Sequence, residues 1–152
     1  EADDNLLPLI QTEVRDGVLH IESEGRISTD NGLKVRISAP DITSIDASGV
    51  SKVTVADIDN DYLRVCTSGA TKATVAGSTA KLSVEVSGAS AVDAENLRAQ
   101  NAEVEASGAS SVSVFATGEL RTDGSGASKI VYGGTPTNVE KSSSGASTIR
   151  EK

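Results

Sequence analysis

Tryptophan and methionine are missing from this 152-residue chain, and Tyr62, Tyr132 and Phe115 are its only aromatic residues. A wide globular core usually draws on such bulky rings. Val, Ala, Ile and Leu in thin, regular doses imply a narrow core instead. Cys66 is the single cysteine, so no disulfide can form within the chain, and the compartment stays open on that count. No stretch approaches 18 apolar residues, the length that would point to a membrane-spanning helix. Basic residues are in the minority, 14 Lys and Arg against 22 Asp and Glu, for a formal net charge of −8. Nucleic-acid binders advertise a basic patch, so no nucleic-acid partner is expected, and the acidic balance gives a bias towards cationic partners. The chain opens at Glu1 with neither Met nor a signal peptide. That reads as a trimmed or a processed form whose targeting segment is not in this chain.

What the chain does have is a phrase. "ASGVSKV", "TSGATKA", "VSGASAV", "ASGASSV", "GSGASKI" and "SSGASTI" place Gly49, Gly69, Gly88, Gly108, Gly126 and Gly145 at intervals of 20, 19, 20, 18 and 19 residues. A period near 19 or 20 is the mark of a solenoid. The L-x-x-L-x-L frame of leucine-rich repeats is absent, and propeller blades are about twice as long. Aligned on glycine, the position four after it holds Val53, Ala73, Val92, Val112, Ile130 and Ile149, and the position six after it Val55, Val75, Ala94, Val114 and Tyr132. Four before it stand Ile45, Val65, Val84 and Val104, followed by Thr122; six before it, Leu63, Leu82, Ala102, Leu120 and Val139. The spacing of two within each set is the strand period. Each repeat thus carries two short strands with alternate residues inward, and equivalent residues stack from repeat to repeat. That is a parallel β-helix, an all-β solenoid with about 19–20 residues per coil. The Ser-Gly-small-Ser phrase becomes its corner, with glycine granting φ > 0 or close backbone approach. Ser48, Ser68, Ser87, Ser107, Ser125 and Ser144 would form a ladder there, their hydroxyls bonding nearby backbone, with a ligand-binding ladder as the lesser alternative.

The first 40 residues break the pattern. "TEVRDGVLHIES" predicts a hairpin turned at Asp16-Gly17, and "GLKVRISAP" another strand. The expected organisation is one β-helix domain over 1–152, with 1–40 as irregular strands or cap and 41–152 as six coils. Solenoids need atypical ends, because a bare terminal coil exposes unpaired backbone.

Several phrases together, "DDNLLPLIQTEVRDGVLHI", "ISAPDITSIDASGVSKV", the SGAS repeats and "YGGTPTNVEKSSSGASTI", closely resemble the head GIN domain family. These are bacterial proteins named for auto-transporter adhesins, a domain of unknown function. The resemblance runs over essentially the whole chain. It implies a right-handed β-helix, a cell-envelope setting (periplasmic or extracellular) and an adhesive role, and it supplies no catalytic residues. Family members have a further strand-rich stretch ahead of "ADDNLLP", where this chain starts. A missing front coil would leave an open β-helix end, and two such ends could meet in a weak end-to-end homodimer.

Candidate sites are few. Asp57, Asp59 and Asp61 resemble the start of a calcium loop, but the glycine and glutamate that an EF-hand needs are replaced by Tyr62 and Ser68, and a solvated acidic turn is the plainer reading. Three before each glycine stand Asp46, Cys66, Glu85, Glu105 and Asp123, facing outward. Glu85, Glu105 and Asp123 stacked on successive coils would repel one another and attract a cation, or merely oppose lateral aggregation. Glu103, Arg121 and Glu140 suggest a surface ion-pair ladder, worth little per pair. His20 has no second ligand, base or nucleophile beside it. Cys66 lies among acids, which disfavours its thiolate. Thr54 and Thr74 begin an outward threonine row of the kind ice binding needs, but Asp93 and Ser113 interrupt it. No cofactor is expected.

The function these features favour is a non-enzymatic envelope or surface module, an adhesin that binds an unknown surface glycan or protein. The alternatives are a structural spacer without a ligand and, third, a polysaccharide-acting β-helix enzyme. The last needs acids clustered in a cleft, and here they are spread along ladders.

Overall fold

In the computed structural model the chain divides into two compact units, Glu1–Ala39 and Pro40–Lys152, of which residues 10–23 and 41–152 are described. The strand expected over "GLKVRISAP" and the "ADDNLLP" phrase lie outside the described residues. In the first unit, β1 (Ile10–Arg15) pairs antiparallel with β2 (Val18–Ser23), Arg15 opposite Val18. Asp16 and Gly17, at φ 52° and 78°, supply the two left-handed residues of a hairpin turn whose twist matches the flanking strands.

The second unit is the solenoid. β3 (Ser44–Ala47), β4 (Lys52–Thr67), β5 (Lys72–Val86), β6 (Ala91–Ala106), β7 (Ser111–Ala116), β8 (Glu119–Gly124), β9 (Lys129–Gly134), β10 (Asn138–Ser143) and β11 (Thr148–Glu151) follow one another. Each pairs in parallel only with strands of the coil before or after it. The glycine-aligned columns are register partners: Val53, Ala73, Val92, Val112, Ile130 and Ile149 on one run, and Ile45, Val65, Val84, Val104 and Thr122 on another. Their side chains fill a narrow core in which Leu63, Leu82, Val75 and Val104 are wholly buried. Each such residue contributes about 1.5–3 kcal/mol by leaving water.

Two runs per coil were expected, and there are three. Ile58–Asn60 pairs with Gly77–Thr79, which pairs with Leu97–Ala99. This middle run brings Ile58, Leu97 and Ala99 into the core. It escapes the glycine alignment because the bend before it varies in length. The register slips between Val55 and Ile58, where Asp57 sits at φ 60°, and again between Ala94 and Arg98, the partner of Phe115.

At the repeated corner the backbone itself is the contact. Ala70 N–H donates to Gly49 O at 2.8 Å, and the same bond recurs from Ala89, Ala109, Ala127 and Ala146 to the preceding corner glycine at 2.8–2.9 Å. All six glycines lie at φ 69–77°. A Cβ on Gly88 would also meet Gly69 O at 2.7 Å, whereas one on Gly49 would meet nothing within 4 Å. The hydroxyls that turn inward are those two residues after glycine. Thr71, Ser90, Ser110 and Ser128 are buried; Thr71 Oγ1 donates to Ser68 O at 2.9 Å and Ser90 Oγ to Gly69 O at 3.2 Å. The serines one before glycine stack along the outer surface of the corner, and among them one hydroxyl bonds backbone. Ser107 Oγ reaches Val86 O at 3.4 Å.

Three outcomes test this account by chemical denaturation. Val84→Asp, which puts an unpaired charge in the core, costs about 4 kcal/mol or more, while Ser83→Asp on the outer face changes stability by about 0.5 kcal/mol or less. Gly49→Ala incurs only the left-handed backbone, about 1 kcal/mol, and Gly88→Ala clearly more because of the added collision. Equal costs would show that the approach of the corners is unimportant. Ser90→Ala destabilises by about 1 kcal/mol, whereas Ser110→Ala, which removes a buried hydroxyl with no hydrogen-bond partner, is neutral or stabilising.

Candidate functional site

Because every coil repeats the same register, any outward position becomes a column about 4.8 Å from one side chain to the next. Three before the corner glycine, Asp46, Cys66, Glu85, Glu105, Asp123 and Ser142 are consecutive partners. Ser48, Ser68, Ser87, Ser107 and Ser125 stand two residues further along, on the corner side. Between the two rows lies an open groove of about 620 Å³, lined by Asp46, Cys66, Glu85, Glu105, Asp123 and those five serines, with backbone of the inward residues between them as its floor. The groove thus offers carboxylates along one wall and hydroxyls along the other.

Electrostatically the groove is negative and little neutralised. Arg64 reaches Glu85 at 2.9 Å across one coil, and this is the single ion pair made by a groove carboxylate among the described residues. Glu103, Arg121 and Glu140 do stack as partners, but the ion-pair ladder expected of them does not form, since no pair among them comes within ion-pairing distance. A strand holds successive side chains roughly perpendicular to the sheet, and an exposed pair gains too little to bend them together. The Cys66 thiol is half-buried, and burial, followed by the charge of Glu85, pushes its pKa up. It is held as the neutral thiol, which is neither a nucleophile nor a metal ligand.

The other candidates are not brought together. Asp57 occupies the bend after the first run, Asp59 the middle run, where it accepts a hydrogen bond from Ser78 Oγ at 3.0 Å, and Asp61 the next bend. His20 lies on the hairpin opposite Glu13. Among the described residues no three His, Cys, Asp or Glu side chains converge as a metal site would require, so Glu85, Glu105 and Asp123 form a line and not a cage. Sequence reasoning found the acidic wall. It assigned the serine row chiefly to the turn, with a ligand-binding ladder as the lesser reading.

No curated protein matches the chain. Solved structures with the same fold include a crystal structure of a putative adhesin from Bacteroides fragilis NCTC 9343, 24% identical, with a TM-score of 0.70 over 98% of this chain and 79% of that one. Another is a putative lipid binding protein from Parabacteroides distasonis ATCC 8503, 18% identical, with a TM-score of 0.56 over 99% of this chain and 81% of that one. At such identities the likeness is one of fold. The family model described as "Putative auto-transporter adhesin, head GIN domain" matches residues 1–136. The repeat, the coil register and that match agree, and the chain belongs to the head GIN domain family.

Proposed function

We propose that this chain is a non-enzymatic binding module of the bacterial envelope or cell surface, and that the groove beside the glycine corner is where it takes a surface glycan or protein. The observation that carries the reading is the paired wall of carboxylates and hydroxyls held at fixed spacing over five coils. Carboxylates accept hydrogen bonds from sugar hydroxyls or from basic side chains, and serine hydroxyls both donate and accept. A row of such groups on a rigid sheet meets an extended ligand without paying to order loops. The family's adhesin description, and the adhesin among the proteins of like fold, support the same role.

Catalysis is a poorer fit. Acid–base hydrolysis of a glycan uses two carboxyl groups facing each other across the bond, and here the acids lie side by side on one wall. Cys66 is kept as its thiol.

The test is a glycan and bacterial-surface binding array probed with the chain and with Glu85→Gln/Glu105→Gln/Asp123→Asn, alongside an activity screen on the same glycans. The expected result is binding without turnover, reduced about tenfold or more in the triple variant as charge-assisted hydrogen bonds are lost. No binding to any surface would leave a spacer, and turnover would make the chain an enzyme; either outcome overturns the proposal.

A further inference from the structure

The corner ridge divides the solenoid surface by charge. In the two outward columns of the run before it stand six carboxylates, Asp46, Glu85, Glu103, Glu105, Asp123 and Glu140, against two cations, Arg64 and Arg121. On the run after it the outward positions are different. Lys52 and Lys72 are register partners one coil apart, and Ala91, Ser111, Lys129 and Thr148 continue their column. The parallel column runs Thr54, Thr74, Asp93, Ser113, Val131, Arg150. These two columns therefore carry four cations and one anion in a chain whose net charge is −8. The four cations are exposed, and none makes an ion pair; the pairs among the described residues are Arg15–Glu13, Arg64–Glu85 and Lys152–Glu95. Asp93 is turned to its own backbone, accepting the Glu95 N–H at 3.3 Å.

We infer that this face is a second binding surface, and that it takes a linear acidic polysaccharide. Like charges stacked on neighbouring strands destabilise a sheet. Lys52 above Lys72 therefore costs the fold something, and a polyanion laid along the column would relieve it. The hydroxyls of Thr54, Thr74, Ser111, Ser113 and Thr148 fill the positions between the cations, where a sugar chain presents hydroxyls to be hydrogen-bonded. The chemistry of the face disfavours other polyanions. A membrane surface is gripped by apolar side chains inserted among cations, and here only Val131 and Ala91 are apolar. A single-stranded nucleic acid is held by aromatic platforms, and the two columns contain no ring. A duplex is read by an element that enters a groove, and the run is a straight sheet face. The net acidic charge sets a repulsive background that salt screens over about 10 Å, so the contact is local to the face.

Binding of the intact chain to polygalacturonate at low ionic strength tests this, with neutral dextran, phosphatidylglycerol vesicles and duplex DNA as comparison ligands. The expected result is binding to polygalacturonate over all three, weakened by added salt. Lys52→Glu/Lys72→Glu should lower the affinity about tenfold or more, while Lys81→Glu/Arg98→Glu, with the same change in net charge on another run, should leave it within about twofold. Circular dichroism and thermal melting confirm that the variants fold; should the Glu pair fail to fold, Lys52→Gln/Lys72→Gln takes its place. The groove variant of the preceding subsection should keep or strengthen polygalacturonate binding, so the two surfaces can fail separately. No binding to polygalacturonate, an equal loss in both double variants, or tighter binding to vesicles or DNA would each overturn the inference.

Discussion

The solenoid depends on how closely one corner backbone can approach the next. Five amide-to-carbonyl bonds of 2.8–2.9 Å run along the glycine corner, and they close only because nothing projects from Gly69, Gly88, Gly108, Gly126 or Gly145. At each of these a Cβ would fall within 2.5–2.8 Å of the preceding carbonyl. Any side chain there would pry the coils apart along that edge and tilt the strands on both sides of it. The same limit governs the middle run, where a Cβ on Gly77 would lie 2.1 Å from Ile58 O. Small residues at these points are thus a condition for register, and register is the condition for everything else the molecule has.

From register follow both the core and the surface. With coils about 4.8 Å apart, each inward position touches its own kind above and below, so Val on Val and Leu on Leu fill the interior without rings. Large aromatics would not fit a stack that repeats in every coil. Tyr132, in the fifth coil, is the exception that reaches the core. Outside, the same repetition turns a one-residue preference into a row. An acid three before glycine becomes the wall of a groove, and a lysine three after it becomes part of a cationic column. The corner ridge keeps the two rows apart, so the acidic excess on one side and the cationic excess on the other do not neutralise each other. Net charge, an average over the chain, conceals this. Lys52, Lys72, Lys129 and Arg150 share one face even so.

How much could be read beforehand depended on distance from the glycine. Between six residues before it and six after it the chain keeps a constant length in most repeats, so Leu82, Val84, Val92 and Ala94 declared themselves by alternation alone. Beyond that, the bend at Asp57 in the first coil and its contraction in the fourth, where Phe115 faces Arg98, scramble the offsets. The third run therefore had no column to reveal it. The inward hydroxyls were missed for a different reason. Ser90 and Ser110 are polar and sit on a turn, both of which argue for exposure. They are buried because the turn places them on the inner side, where only a small side chain fits. Of the groove, both the acidic wall and the serine wall were legible as columns, but the serine column read first as a turn because Ser-Gly-Ser phrases are common there.

One inward column changes character along the stack. The inward column that begins Ile45, Val65, Val84, Val104 passes through Thr122 to Lys141. Thr122 Oγ1 donates to Glu140 O at 3.2 Å, and the Lys141 ammonium lies 4.7 Å from the centre of the Tyr132 ring. An apolar column is thereby graded into a hydroxyl and then a cation seated on an aromatic face, an arrangement that is itself attractive. The buried ring is covered by a stem that is apolar along its length and charged at its tip. A valine at position 141 would fit the column better than lysine does. The lysine gives up that packing and gains its contact with the Tyr132 ring.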